Sequence, residues 1–145
     1  LNYRFPSFFN IVRSESSRIK YQHSRIKGID VDSVIVRIRE LMELEKIHTQ
    51  DDLTLKRLSR MLQITPHQLS EILNNKFGIN FNSFINAQRI ETAKILLRHG
   101  NESILSIAYS CGFSSKTTFN TVFAKLAGMT PTEYKKKSDK KGSDV

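Results

Sequence analysis

Apolar residues recur every three or four positions along most of this chain, and nowhere do they alternate with period two. Val31, Val34, Ile35, Ile38, Leu41 and Met42 form one such stripe behind Gly28 and the N-cap candidate Asp30, predicting a helix to about residue 46. A polar connection, HTQDD, leads to a second helix over about 55–62. Thr65, Pro66 and Gln68 then coincide as N-cap, first helical residue and capping-box partner, so a helix starts there and runs to about Lys76, with Gly78 as its stop. Asn80 caps a long helix over 81–98, carrying Phe84, Ala87, Ile90, Ala93, Leu96 and Leu97 at helical spacing and closed by Gly100. Ser103 opens a short helix stopped by Gly112, and Ser115 caps one over about 116–126 with Phe119, Val122, Phe123 and Leu126 facing the core. Thr130, Pro131 and Glu133 repeat the capping-box logic for a last short helix through Tyr134, and the tail at 138–145 is expected to be disordered.

Much of this pattern is written twice. Residues 58–84 and 107–134 carry matching landmarks: Leu58/Ile107 and Ile64/Phe113 at an offset of 49, then Leu69/Phe119, Leu73/Phe123, Gly78/Gly128, Asn80/Thr130 and Phe84/Tyr134 at an offset of 50. One extra residue therefore lies in the second turn. Each copy reads as helix, tight turn and second helix, and a duplicated helix-turn-helix lets one chain do what usually takes a symmetric dimer.

Charge narrows the partner. The net charge of the 145-residue chain is +9 and its pI about 9.9, which favours a polyanion such as nucleic acid or an acidic membrane face. The excess is uneven: six cations face two carboxylates over residues 1–30, six face six over 31–64, and eleven face six over 65–145. The opening segment mixes Tyr3, Phe5, Phe8 and Phe9 with spaced cations, reading as a partly helical linker or a segment that lay beside a membrane. No run of eighteen apolar residues and no signal-peptide pattern occurs, and the chain begins with Leu1, so a fragment lacking an upstream sensor or anchor is expected. Cys111, the single cysteine, reads as a small buried residue and fits a reducing compartment.

A helix-turn-helix buries one side of its second helix and offers the other to base edges. The outward residues are His67, Gln68, Ser70, Glu71 and Asn74 in the first copy, and Lys116, Thr117, Thr118, Asn120 and Thr121 in the second. These are short or amide side chains suited to hydrogen bonds and thymine-methyl contact, with one lysine able to reach guanine or a phosphate. Glu71 either accepts from a cytosine amino group or pairs with a neighbouring cation. Phosphate contacts are expected at the helix starts Thr54, Thr65, Ser115 and Thr130, and from Lys56, Arg57, Arg60, Lys76, Lys125 and the Lys135 to Lys137 cluster. A lone polar helix face is ordinarily just solvated. The second copy, with matching turn, cap and polar face, is what points to a reader.

Residues 50–137 resemble the DNA-binding domain of AraC/XylS-type transcription regulators. The resemblance rests on LTLKRLSRMLQITPHQLSEILNNKFGINFNSFI, on the R-x-x-x-A-K-x-L-L run from Arg89 to Leu97, and on SILSIAYSCGF followed by TFNTVFAKLAGMTPTEY. It implies promoter binding, activation through contact with RNA polymerase, and two recognition helices entering successive major grooves. Carried over by position, the base-facing residues are His67, Gln68 and Glu71, and Lys116, Thr117, Asn120 and Thr121, although Glu71 and Thr121 stand where many relatives carry arginine. The stretch from Tyr3 to about Lys46 also resembles the segment that joins a multi-spanning membrane region to this domain in some members.

The expected architecture is all-α, about seven helices, with two helix-turn-helix subdomains (54–76 and 103–127) joined by a linker helix (81–98) in a domain at 31–137, preceded by a basic, partly helical segment at 1–30. The expected partners are double-stranded DNA and RNA polymerase, in the cytoplasm or at the inner membrane of a longer protein, with no cofactor. The rival reading is a membrane-surface or protein-docking module using the basic opening and tail. His23, His48, His67 and His99 have no metal spacing, and no nucleophile, paired carboxylates or phosphate loop argues for an enzyme.

Overall fold

The computed structural model describes residues 26–143. Among these the architecture is all-α: α1 Val31–Glu43, a single 3-10 turn Ile47–Thr49, α2 Leu55–Met61, α3 Pro66–Phe77, α4 Phe81–His99, α5 Ile104–Ser110, α6 Lys116–Ala127 and α7 Pro131–Ser143. Most of the expected opening segment, residues 1–25, lies outside the described residues. At its end Ile26 is buried and a turn leads to Asp30, whose carboxylate accepts from the Ser33 N–H and hydroxyl and is held below the usual carboxylate range by them.

The described residues divide into two compact units, 26–47 with 53–84, and 48–52 with 85–143. In the first, α1 buries Val34, Ile38, Leu41 and Met42, the predicted stripe. Leu58 of α2 and Leu69, Ile72 and Leu73 of α3 are fully buried, with α2 packed on α3. Phe84 ends this unit, its ring 5.4 Å from that of Phe77.

The second unit has a continuous core of Ile90, Ala93, Leu97, Ile107, Ala108, Cys111, Phe113, Phe119 and Phe123. Rings step through it at centroid distances of 5.2 Å (Phe113–Phe119), 5.7 Å (Phe119–Phe123) and 5.5 Å (Phe123–Tyr134). Tilted and edge-on pairs of this kind add about 0.5–1.5 kcal/mol each beyond their area burial. Burial pushes the Cys111 thiol up to about 12, as expected of an inert core cysteine.

The unit boundary falls within α4, after Phe84. Phe84, Ile85 and Gln88 occupy one arc of the helix, whereas Ile90, Ala93 and Leu97 occupy another, so no single stripe runs its length.

Two expectations are corrected. Leu126 is 48% exposed; in the last turn of α6 it is Ala127, one position round the helix, that packs on the core. The last helix does not stop near Tyr134, and the tail expected to be disordered is helical to Ser143, leaving residues 144–145 outside the described ones. The reason is local: from Lys135 to Lys141 no proline or glycine intervenes, lysine is a good helix former, and lysines near the C-terminus suit the helix dipole.

Candidate nucleic-acid interface

The two helix-turn-helix copies are built by the same devices in the same order. Thr54 and Ser103 cap the first helices, accepting from the backbone N–H of Arg57 and Ser106. Each first helix ends with a backbone bond back to it, Ile64 N–H to Ser59 O and Phe113 N–H to Ala108 O, both 3.1 Å. Between the helices lie residues 62–65 in one copy and 111–115 in the other, so the inserted residue is in the second turn as the offsets required. Gln63 and Gly112 occupy equivalent places and both adopt positive φ, +57° and +99°. Both recognition helices then stop on a left-handed glycine, Gly78 at φ +68° and Gly128 at φ +73°.

The N-termini are fixed by side chains. In α3, Thr65 Oγ1 accepts from Gln68 N–H at 3.1 Å while Gln68 Oε1 accepts from Thr65 N–H at 2.9 Å. In α6, Ser115 Oγ accepts from Thr118 N–H at 3.2 Å and donates to the Thr118 hydroxyl at 2.9 Å. Thr130 and Glu133 close the same box on α7. Pro66 and Pro131 stand at the first helical position of α3 and α7 and remove one N–H there, whereas α6 begins with Lys116 and keeps it. Of the three, α6 therefore has the richest set of forward-pointing donors for a phosphate. Thr65→Ala and Ser115→Ala are each expected to lower stability by about 1 kcal/mol, read as a shift in urea midpoint with unchanged slope.

On α3, His67 and Asn74 are exposed, and Gln68, Ser70 and Glu71 are half-buried on the side away from Leu69, Ile72 and Leu73. The Gln68 carbonyl oxygen is occupied by the cap. On α6, Lys116, Thr117, Thr118 and Thr121 are exposed and Asn120 is half-buried, opposite Phe119 and Phe123. The Thr121 hydroxyl donates to the Thr117 carbonyl at 3.0 Å, which leaves its oxygen as an acceptor and its methyl as an apolar contact. Of the expected phosphate-contacting residues, Lys125 and the caps Thr65 and Thr130 are exposed, and Lys76 and Ser115 are half-buried. Lys135 is half-buried and bends back, its Nζ donating to Glu102 O at 3.3 Å.

Sequence reasoning missed a positioning device in the second unit. Arg89 of α4 donates from Nε to His48 O at 2.7 Å and from Nη2 to Gln50 O at 2.9 Å, and its guanidinium lies 5.7 Å from the centre of the Phe113 ring. Burial lowers its pKa from the ordinary value. The Thr92 hydroxyl donates to Gln88 O and so accepts from His48 Nε2, which is buried with its ring. HTQDD is thus no idle connection but a strap pinned against α4 and the second turn. The available signal was an arginine placed mid-helix one residue before the buried Ile90.

The sequence profile of a helix-turn-helix domain family matches residues 58–137. Over 99 residues the chain is 32% identical to the regulatory protein PocR of Salmonella typhimurium, a match covering 68% of this chain and 33% of that protein. The C-terminal domain of AraT, a response regulator from Geobacillus stearothermophilus, is similar in structure at a TM-score of 0.63 and 30% identity, covering 79% of this chain and 88% of that one. The DNA-binding domain of AdpA, solved with a target DNA, shares the fold at a TM-score of 0.60 and 21% identity, covering 72% of this chain and 88% of that one. The chain spans a third or less of the length of the curated relatives it matches. Among the described residues no helix is long and apolar enough to cross a membrane. Two helix-turn-helix motifs joined by one long helix, over a span that the profile match at 58–137 covers but for the first turn of α2, place the chain in the AraC-type helix-turn-helix family of DNA-binding transcription regulators.

Proposed function

We propose that this chain reads a specific sequence of double-stranded DNA by laying α3 and α6 into two successive major grooves, about one helical turn or roughly 34 Å apart along the duplex. The observation that carries the reading is the repetition of cap, turn, left-handed stop and outward polar face in both motifs. His67, Gln68 and Glu71 would face bases from α3, and Lys116, Thr117, Asn120 and Thr121 from α6. Thr65, Lys76, Ser115, Lys125, Thr130 and Lys135 would meet phosphates and set the register. With its tied hydroxyl, Thr121 suits a thymine methyl or a base amino group rather than a guanine acceptor.

The rest of the proposal concerns the whole protein: activation of transcription in the cytoplasm through contact with RNA polymerase, under a sensor or membrane region upstream. The family membership supports it. Selection of bound sequences from a random duplex pool, followed by footprinting, tests the reading; two protected patches on one face of the duplex are expected, and a single uninterrupted patch or no enrichment would refute it. Lys116→Ala is expected to weaken the selected site by about 1–3 kcal/mol more than random duplex. Equal loss on both would make Lys116 a phosphate contact.

A further inference from the structure

The extension of α7 past Tyr134 arranges lysines that a disordered tail would leave scattered. At one hundred degrees per residue, Lys136 and Lys140 lie opposite buried Pro131 and half-buried Tyr134 and Ser138, while Lys137 flanks them and Lys141 lies nearer the line of Tyr134. All four are exposed, and among the described residues none of them makes an ion pair or a side-chain hydrogen bond. The carboxylate sharing their arc, Glu133, is occupied by the cap at Thr130, and Asp139 falls to the flank. Lys135, whose Nζ donates to Glu102 O, lies off this arc and would meet the duplex separately.

Lys136 with Lys140, and Lys137 with Lys141, are like-charged pairs at i, i+4, an arrangement that disfavours a helix. Beyond Tyr134 the helix has no apolar side chain to bury, so packing does not compensate. A stripe of this kind is stabilised by a polyanion lying along it. We propose that α7 is a sequence-independent contact for the phosphate backbone of duplex DNA, engaged just outside the groove that α6 enters; this rests on the DNA-reading function proposed above.

Dimensions agree with that placement. A helix the length of α6 is about 18 Å long and the major groove about 12 Å wide, so its end emerges at the backbone, where Gly128 turns the chain into α7. Lys136 and Lys140 are about 6 Å apart along the axis, near the distance between adjacent phosphates on one strand.

The test is a salt titration of the chain and of its K136Q/K137Q/K140Q/K141Q variant on a selected duplex and on random duplex. With about 0.9 of slope per phosphate contact, the variant is expected to show a log-affinity against log-salt plot shallower by about two. Its affinity should fall by the same factor on both duplexes, and its circular dichroism should match the parent. An unchanged slope overturns the proposal, as does a loss confined to the selected duplex, which would make the lysines base readers. Vesicles containing phosphatidylserine serve as the second probe: if the parent binds them, the variant does not, and the duplex slope is unaltered, the stripe belongs to a membrane and the proposal fails. A parent chain that prefers no duplex sequence would sink the specific reading alone, and the slope comparison would still decide the stripe.

Discussion

Gly112→Ala is expected to destabilise the second unit by about 2–4 kcal/mol, whereas Gln63→Ala, at the equivalent place in the first motif, should change stability by less than about 0.5 kcal/mol. Both positions sit at positive φ, so backbone conformation alone does not separate them. The surroundings do. A Cβ on Gly112 would lie 2.7 Å from His48 O, 2.9 Å from Arg89 Nε and 3.0 Å from Thr49 C. Two of those atoms are backbone, and the third is held by a 2.7 Å hydrogen bond to the same carbonyl the methyl would strike. Relief therefore means breaking the strap, leaving the part-buried His48 carbonyl without the arginine donor at about 1–3 kcal/mol, while the exposed Gln50 carbonyl turns to water. Gln63 is exposed and already carries a Cβ in the left-handed region, so shortening it strains nothing. Urea unfolding of both variants decides it: midpoints that move together would mean that the strap does not close over the second turn. Arg89→Ala, which removes the donor without adding an atom, should share much of the loss.

The same pair of positions shows what the sequence could and could not disclose. Helix starts were legible because their signals are local: Thr65 with Pro66 and Gln68, Ser115, and Thr130 with Glu133 each act within four residues of themselves. The stops at Gly78 and Gly128 were equally local. Repetition supplied the architecture, since an offset that changes from 49 to 50 locates an insertion without any structure. What escaped was long-range. His48 and Arg89 are 41 positions apart, and nothing in HTQDD announces that its carbonyls will receive a guanidinium. Leu126 has the right spacing to be buried, but spacing does not reveal where a partner surface ends. In the tail, low hydropathy was read as disorder, yet lysines continue a helix that Thr130 and Pro131 have already started. For the interface, the buried sides of α3 and α6 followed from periodicity, while the commitment of the Gln68 oxygen to its cap and of the Thr121 hydroxyl to Thr117 depends on rotamers that periodicity does not carry.

Inserting five base pairs between the two half-sites of a selected sequence is expected to lower affinity at least 100-fold, and inserting ten should not restore it. Five pairs turn the second half-site to the far face of the duplex, so only one recognition helix can reach its bases. If each half-site holds about three read pairs worth about 1–3 kcal/mol apiece, losing one half removes at least about 3 kcal/mol, which is more than a hundredfold. Ten pairs bring the half-site back to the same face, and here the character of the connection matters. α4 is one 19-residue helix with no proline or glycine from Phe81 to His99, about 28 Å long, while the restored spacing would be near 70 Å. A flexible tether between two readers, or two chains each placing one motif, would follow the half-site and recover most of the affinity. A helix cannot lengthen, so continued loss at ten pairs is the signature of two motifs carried on one bar. Full recovery at ten pairs, or indifference to five, would show that α3 and α6 do not read one duplex together, whatever each binds alone.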